Sequence, residues 1–211
     1  MKLSSVYYLQ DDVVKISRDL LGKVLCTYLD GRLTSGVITE TEAYAGTTDK
    51  ASHAYGGRRT ARNEVMYHEG GKAYVYLCYG IHHLFNVVTN VEGIPHAVLI
   101  RGIFPVEGIP EILQRRKTKH VVKDFTTGPG KVSAALGIHT GLNGLLLSEN
   151  TIWIEDRGLS FADEDVHIGP RIGIDYAGED AFLPYRFYVS WEKSKKIVEE
   201  KITSAQTPFS P

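Results

Sequence analysis

The stretch AYVYLCYGIHHLFNVVTN, residues 73–90, decides the fold. Two runs rich in β-branched and aromatic residues flank Tyr79 and Gly80, which predicts a β-hairpin with these two residues at its tip. Outward from this hairpin, similar runs predict further strands at residues 23–29, 33–44 and 96–104, with Asp30-Gly31 as a second hairpin turn. The strand signals are close together along the chain, so the sequence favours a mostly antiparallel sheet.

Helices are predicted between and after these strands. Asp11-Asp12 precede an apolar pattern that ends at Gly22, as expected for a capped helix. Other helices are predicted at residues 105–117, 130–137 and 191–202, and short strands near Trp153, Ile172 and Phe187. We therefore predict an α+β fold in one domain spanning residues 1–211.

Composition and length set the outer bounds of this prediction. The chain has 211 residues, of which 43% are hydrophobic and 23% charged, enough for one substantial core. No apolar export segment and no run of eighteen apolar residues is seen, so we expect a cytoplasmic protein without a membrane association. Cys26 and Cys78 lie far apart and are predicted to be buried thiols, without a zinc site.

The net charge of −1 conceals a segregation of charge along the chain. Residues 50–72 carry five Lys or Arg against two Glu, and residues 101–131 carry seven against three carboxylates. Residues 149–180 carry nine carboxylates against two Arg. If the two basic segments face one way, they form a local positive surface that suits nucleic acid. Chance clustering on a solvated surface is the alternative.

Two glutamates share one face of the predicted strand that ends in ITETEAY. Glu40, Glu42 and Tyr44 point one way because side chains alternate along a strand. An exposed sheet edge would explain both carboxylates, and acid–base catalysis is the alternative. Carboxyl groups two residues apart lie roughly 7 Å from each other, within the range typical of inverting glycoside hydrolysis. Glycosidic-bond chemistry is thus allowed.

An aromatic and basic cluster follows this strand. It contains His53 and six tyrosines: Tyr44, Tyr55, Tyr67, Tyr74, Tyr76 and Tyr79. Three arginines stand among them and are candidates for contacts with the DNA backbone: Arg58, Arg59 and Arg62. Such a set suits base stacking and phosphate contact, although a tyrosine-rich core is also compatible with it.

The run TTGPGKVSAALG fails as a Walker motif but predicts a helix start near Lys131 that could bind a phosphate. The histidines lack metal-ligand spacing, so no metal is expected.

Four segments of the chain, residues 40–88, 97–108, 126–137 and 170–189, resemble the alkyladenine (3-methyladenine) DNA glycosylase family. The resemblance implies a curved sheet flanked by helices, with a protruding hairpin. It also implies an enzyme that needs no cofactor and acts on double-stranded DNA containing damaged purines. Because the sequence places no lysine next to this set as a nucleophile, we expect a monofunctional hydrolase, and because recognition of a single lesion needs no symmetry, we expect a monomer. The lesions would be 3-methyladenine, 7-methylguanine, ethenoadenine and hypoxanthine, each flipped out of the duplex and hydrolysed to leave an abasic site.

The resemblance also implies a role for individual residues. Glu42 would be the general base and Arg101 would hold the attacking water. The pocket for the flipped base would be formed by the side chains of Tyr44, His53, Tyr76 and Asn86 and by the backbone carbonyl of Ile172. Tyr79, at the hairpin tip, would fill the gap that the extruded nucleotide leaves in the DNA.

Two other functions are left open by the residues themselves. A noncatalytic nucleic-acid binding module would use the same tyrosine and arginine surface, and Glu42→Gln would then leave all function intact. An O-glycoside hydrolase would use Glu40 together with Glu42 and would lose activity equally from either change. For the DNA glycosylase, Glu42→Gln is expected to abolish base release and Glu40→Gln to do much less.

Overall fold

The computed structural model of the protein describes residues 1–206, with side chains through residue 201, so the last five residues of the predicted domain lie outside the described residues. The described α-helices are α1 (Val13–Asp19), α2 (Ile109–Arg115), α3 (Pro129–Leu136) and α4 (Trp191–Gln206). The described strands are β1 (Val24–Leu29), β2 (Arg32–Tyr44), β3 (Ala73–Cys78), β4 (His82–Thr89), β5 (His96–Glu107), β6 (Ile152–Glu155), β7 (His167–Gly169) and β8 (Arg186–Tyr188).

All eight strands join one antiparallel sheet whose main order is β3-β4-β5-β2-β1-β6. The long strand β2 pairs with β5 along one side. On its other side β2 pairs first with β1 and then, from Glu40 to Glu42, with β8. The second half of β2 is therefore an interior segment of a strongly curled sheet, and the predicted α+β class is confirmed.

Local sequence signals explain the first three elements. The Asp12 side chain accepts a hydrogen bond from the Lys15 N–H at 2.9 Å and caps α1, as predicted. Gly22 follows α1 at a φ of 85°, where a side chain would be strained. Asp30 and Gly31 both have positive φ values, 52° and 74°, which is typical of the type I′ turn that joins twisted strands.

Two predicted elements differ from the structure. The helix predicted from residue 105 begins only at Ile109, because β5 continues to Glu107 in register with β2 and pairs Pro105 with Gly36. Gly108, in the left-handed region at a φ of 68°, then turns the chain into α2. The short strand predicted near Ile172 lies a few residues earlier, as β7, because Pro170 and the positive φ of Gly173 interrupt an extended pairing at Ile172 itself.

The hydrophobic core lies between the sheet and the helices. Cys26 is buried in it, as predicted, and Leu25, Ile38 and Ile100 are fully buried beside it. Cys78 does not follow the prediction: it is half-buried, because β3 rises out of the core toward the hairpin tip. Among residues 1–206, no helix is long and apolar enough to cross a membrane.

Candidate active site

Two bulges between β2 and β5 place the charged residues of the site. The register runs from Ile38 opposite Ile103 to Glu40 opposite Gly102 and then to Thr41 opposite Ile100. One residue is therefore extra on each strand, Thr39 on β2 and Arg101 on β5. Bulges turn side chains away from the regular alternation of a strand. Arg101 is in this way brought into contact with both glutamates of β2.

The two glutamates are buried, so the interpretation of this strand as an exposed edge is wrong. Glu40 is 5% exposed and Glu42 is 0% exposed, since β8 covers the side of β2 that the sequence left open. Arg101 Nε lies 3.0 Å from Glu40 Oε1 and 3.3 Å from Glu42 Oε1. Two buried carboxylates thus share one guanidinium group, an arrangement that requires compensation for the desolvated charge.

Glu42 is held by three different elements. Its Oε1 accepts the Ile172 backbone N–H at 2.8 Å, and its Oε2 accepts the Tyr44 hydroxyl at 2.8 Å. Burial raises the pKa of Glu42, while Arg101 and the two hydrogen bonds act in the opposite direction. A carboxylate oxygen has two acceptor positions. Within the described chain only Tyr44 donates to Oε2, so this oxygen retains one position for a further donor.

A buried ion pair fixes the segment that carries Ile172. Arg171 Nη1 lies 2.5 Å from Asp49 Oδ2 and Nη2 lies 2.8 Å from Oδ1, and both side chains are at most 1% exposed. The same guanidinium donates to the Ala43 carbonyl at 2.8 Å and lies over the Tyr44 ring at 4.8 Å. This pair could not be predicted from the sequence. Its two residues are 122 positions apart and lie in irregular segments, where no periodic pattern indicates which side chains meet.

Aromatic side chains form the neighbouring wall. His53 Nδ1 and the Tyr74 hydroxyl are hydrogen-bonded at 2.8 Å, and the His53 ring packs edge-on against Tyr76 with centroids 4.7 Å apart. Tyr74 and Tyr76 lie on one strand face, as predicted, with centroids 5.3 Å apart. Burial, followed by the nearby charge of Arg62, lowers the pKa of His53 to about 4. The imidazole is therefore neutral at physiological pH.

The depressed pKa of His53 predicts a pH-dependent loss of stability. Between its ordinary pKa of 6.5 and the folded-state value of about 4, the unfolded chain takes up a proton that the folded chain does not. Stability is thus fully present above pH 6.5 and falls as the pH is lowered. His53→Gln is expected to lessen the loss between pH 7 and pH 4.5 by about 2 kcal/mol. Urea unfolding at both pH values measures this difference in unfolding free energy. His120→Gln, which changes an exposed histidine, is the control. Equal losses of stability in the two variants would contradict the depressed pKa of His53.

The charged and aromatic groups border a cleft of about 520 Å³, a volume in the usual range for a small-molecule site. Nine of the residues predicted for the site line this cleft: Tyr44, His53, Arg62, Tyr76, Tyr79, Asn86, Arg101, Lys131 and Ile172. Asn86 is buried and donates to the Tyr74 carbonyl at 3.1 Å. Glu42 lies directly behind this wall, in contact with Tyr44, Arg101 and Ile172.

Tyr79 stands at the rim of the cleft on the hairpin between β3 and β4. It is 91% exposed and has a φ of 50°, and Gly80 follows at 72°. Two positive φ values in succession make a tight turn that projects the ring outward. Ile81, also exposed, lies beside it. An apolar tip of this kind contributes nothing to the core, so it is available to contact another molecule.

The basic residues predicted to contact DNA are not equivalent. Arg62 lines the cleft and lies over the Tyr76 ring at 4.9 Å, and Lys131 lines it at the start of α3. Arg58 is exposed on the preceding loop. Arg59 instead forms a double hydrogen bond with Glu64, at 2.9 and 2.5 Å. The structure thus brings two of the four to the cleft.

Tyr176 is a cleft residue that the sequence did not reveal. Its ring is 70% exposed at the mouth, and its hydroxyl donates to the Ala51 carbonyl at 3.1 Å. It follows an acidic, irregular stretch that gave no aromatic or periodic pattern.

Within residues 1–206, no group of three His, Cys, Asp or Glu side chains could hold a metal ion.

The chain is similar to known proteins over most of its length. Residues 7–193 match the family model described as Methylpurine-DNA glycosylase. The chain belongs to this family. Membership confirms the predicted family and enzyme class, a DNA glycosylase. A relative from Chlamydia felis, named as a 3-methyladenine DNA glycosylase, is 48% identical over 92% of this chain and 100% of its own length. A relative of the same name from Chlamydia pneumoniae is 46% identical over 93% of this chain and 99% of its own length. Another, from Bacillus cereus, is 46% identical over 86% of this chain and 92% of its own length.

Proposed function

We propose that this member of the methylpurine-DNA glycosylase family hydrolyses the N-glycosidic bond of alkylated or deaminated purines in duplex DNA and leaves an abasic site. The observation that carries the proposal is the position of Glu42. A buried carboxylate in contact with Arg101 lies directly behind the wall of a tyrosine-lined cleft. A desolvated carboxylate with a perturbed pKa next to a cleft is a frequent feature of catalytic sites.

The reaction requires that the damaged nucleotide leave the helix. A base inside a duplex leaves no room for the enzyme to reach its sugar carbon, so the nucleotide must rotate outward. The exposed Tyr79 ring would enter the base stack and fill the gap, which offsets part of the unstacking energy. Arg62 and Lys131, on the rim, would contact the flanking phosphates. Damaged bases pair weakly and cost least to extrude.

The flipped base would stack between Tyr44 and Tyr76, beside the His53 ring. Because His53 packs edge-on against Tyr76 at 4.7 Å, it does not face Tyr76 across the base as the resemblance implied. Stacking on these rings tolerates many purine shapes, so one cleft accepts 3-methyladenine, 7-methylguanine, ethenoadenine and hypoxanthine. Methylation at N3 or N7 places positive charge on the ring, and the tyrosine faces favour a cation. Asn86, whose amide is fixed by the Tyr74 carbonyl, would disfavour the 2-amino group of unmodified guanine. The substrate 7-methylguanine carries the same amino group, and the attraction of its positively charged ring to the tyrosines would compensate for this contact.

Bond cleavage would proceed through a water molecule at the sugar carbon C1′. The free acceptor position of Glu42 Oε2 would take the proton of this water as its oxygen bonds to C1′. The electron pair of the broken C1′–N bond passes to the base: a purine alkylated at N3 or N7 leaves as a neutral molecule, whereas hypoxanthine and ethenoadenine would take up a proton from solvent as they leave. The negative charge of the carboxylate would stabilise the developing oxocarbenium ion. Arg101 uses Nε for the carboxylates, and among residues 1–206 its terminal N–H groups have no hydrogen-bond acceptor, so they can bind the water. Its charge also opposes the increase that burial causes in the pKa of Glu42.

The two alternative functions fit less well. Glu40 is held by Arg101 and Arg186, and both glutamates contact the same Arg101 Nε. The two carboxyls therefore do not face each other across a substrate, as an inverting O-glycoside hydrolase needs. A noncatalytic binding module would use the residues at the rim of the cleft and its tyrosines, but it would give the buried Glu42 no function.

Incubation with four duplex oligonucleotides, each carrying one of the lesions named above, tests the proposal. We expect release of the free base and sites that break only after heating or alkali. Strand cleavage without such treatment, together with a borohydride-trapped adduct lost in Lys131→Ala, would instead identify a lysine nucleophile. Failure to release any of the four bases would contradict the proposed activity.

Tyr79→Ala is expected to slow excision from duplex DNA by about tenfold, which corresponds to the loss of roughly 1.4 kcal/mol of the compensation for unstacking. Excision from a single-stranded lesion, where no stack must be filled, should change far less. Because the side chain is exposed, the unfolding temperature should not move. Tyr28→Ala, which removes a half-exposed tyrosine from β1, is the control. Equal rates for Tyr79→Ala and the wild type on duplex DNA would remove the wedge from the mechanism.

A further inference from the structure

A second arginine contacts one of the carboxylates of β2, that of Glu40, from the opposite side. Arg186 of β8 lies with Nε 2.7 Å from Glu40 Oε1, the same oxygen that accepts Arg101 Nε at 3.0 Å. The side chains of Glu40 and Arg101 are at most 10% exposed, and that of Arg186 is 20% exposed. One buried oxygen thus joins two guanidinium groups from two strands.

We propose that Glu40 and Arg186 form a positioning pair that orients Arg101 and balances the charge next to Glu42. This inference rests on the proposed function, because it concerns the base and the water-holding arginine of that site. Glu40 does not line the cleft, so it acts through its contact with Arg101 and through its charge next to Glu42.

The orientation follows from the hydrogen bonds. Arg101 has one N–H at Nε, and Glu40 accepts it at a shorter distance than Glu42 does. With Nε fixed on the buried side, the planar fork of Arg101 is turned toward the cleft that the residue lines. Gly102 makes this approach possible, because a Cβ there would lie 2.9 Å from the Glu40 Cβ. The two bulges and this glycine bring β5 onto Glu40.

The charge balance follows from counting the ionised groups. Glu40 and Glu42 carry two negative charges, and Arg101 alone would leave one of them uncompensated at low exposure. Arg186 supplies the second positive charge and makes the group of four neutral. In its absence the two carboxylates would compete for one guanidinium, and Glu42 would hold its proton to a higher pH.

Other groups around Glu42 complete the local field and must be held constant in any test. On its own strand they are Glu40 and Tyr44, on β5 Arg101, on β8 Arg186, and on the segment after β7 the Ile172 N–H, Arg171 and Tyr176.

Single-turnover base release measured against pH distinguishes a positioning pair from a structural one. The substrate is a duplex with whichever of the four lesions the wild-type enzyme releases fastest. Rates should rise with pH as Glu42 loses its proton. Glu40→Gln removes a negative neighbour and should move this rise to lower pH, whereas Arg186→Gln removes a positive neighbour and should move it to higher pH, each by about one pH unit. Glu40→Gln should also slow the plateau by about 10- to 100-fold through the misplaced Arg101.

Charge-keeping variants protect the test against a folding defect. Glu40→Asp and Arg186→Lys should retain the wild-type position of the rise, even where their rates fall. Glu107→Gln is the matched control, since it disrupts another glutamate–arginine contact of β5, to Arg157 at 2.7 Å, at the far end of the strand. Its pH profile should equal that of the wild type.

The outcome separates this inference from the proposed function. If the wild type releases base and Glu42→Gln does not, the function stands. Profiles of Glu40→Gln and Arg186→Gln that overlay the wild type, or that shift in the same direction, would then overturn the positioning pair alone.

Discussion

Glu42→Gln is expected to slow base release from a lesion duplex by about 10³-fold or more, because the amide cannot take the proton of the attacking water or stabilise a cationic sugar. The substitution keeps the size of the side chain, and the amide oxygen can still accept one of the hydrogen bonds from Ile172 and Tyr44. The cleft and the rim should therefore be preserved. Affinity for the lesion duplex should stay within about threefold of the wild type, well under 1.4 kcal/mol.

Single-turnover release of the free base and fluorescence anisotropy of a labelled duplex measure the two quantities separately. Glu107→Gln serves as the matched control because it removes a carboxylate of β5 remote from the cleft. Wild-type rates in Glu42→Gln would exclude this residue as the base. A parallel loss of binding and release would indicate a disrupted cleft and would also contradict the assigned role.

Asp49→Asn is expected to lower the free energy of unfolding by about 3–5 kcal/mol, because it leaves the Arg171 guanidinium buried and unpaired. For a chain of this length the unfolding temperature should fall by about 10 °C. Arg171→Met should have a similar effect for the complementary reason. Base release should also slow at temperatures where the variant is folded, since Arg171 anchors the segment whose Ile172 N–H holds Glu42.

Denaturant unfolding and thermal scans test the buried ion pair. The double variant Asp49→Asn/Arg171→Met should be more stable than the sum of the single changes predicts, because neither charge is left uncompensated. Asp19→Asn is the surface control: it removes a solvent-exposed pair with Lys15 and should cost less than about 1 kcal/mol. A loss of less than about 1 kcal/mol in Asp49→Asn would contradict the structural role of the pair.

The regular elements could be predicted because their signals are local. The hairpin around Tyr79, the type I′ turn at Asp30-Gly31 and the capped helix α1 each depend on neighbouring residues. Where a distant strand decided the outcome, prediction from the sequence was wrong. β5 extends through Pro105 because β2 lies alongside it, and no local pattern reports that pairing.

The candidate site was predictable only in part, for a related reason. The family resemblance identified the residues that line the cleft, and the structure brings them together. Their geometry depends on two bulges and on contacts between β2, β5 and β8, which alternation along a single strand cannot reveal. The alternation of side chains along β2 was equally compatible with an exposed, solvated edge of the sheet. The Arg171–Asp49 pair and Tyr176 belong to irregular segments, where spacing carries no information.

The most direct test of the account is a crystal structure of the Glu42→Gln variant bound to a duplex with one excisable lesion. The account predicts the damaged base outside the helix, stacked between Tyr44 and Tyr76, with Tyr79 in the vacated position. A water near C1′ should lie within hydrogen-bond distance of residue 42 and Arg101. A base that remains stacked in the duplex, or a sugar whose C1′ faces away from residue 42, would contradict it.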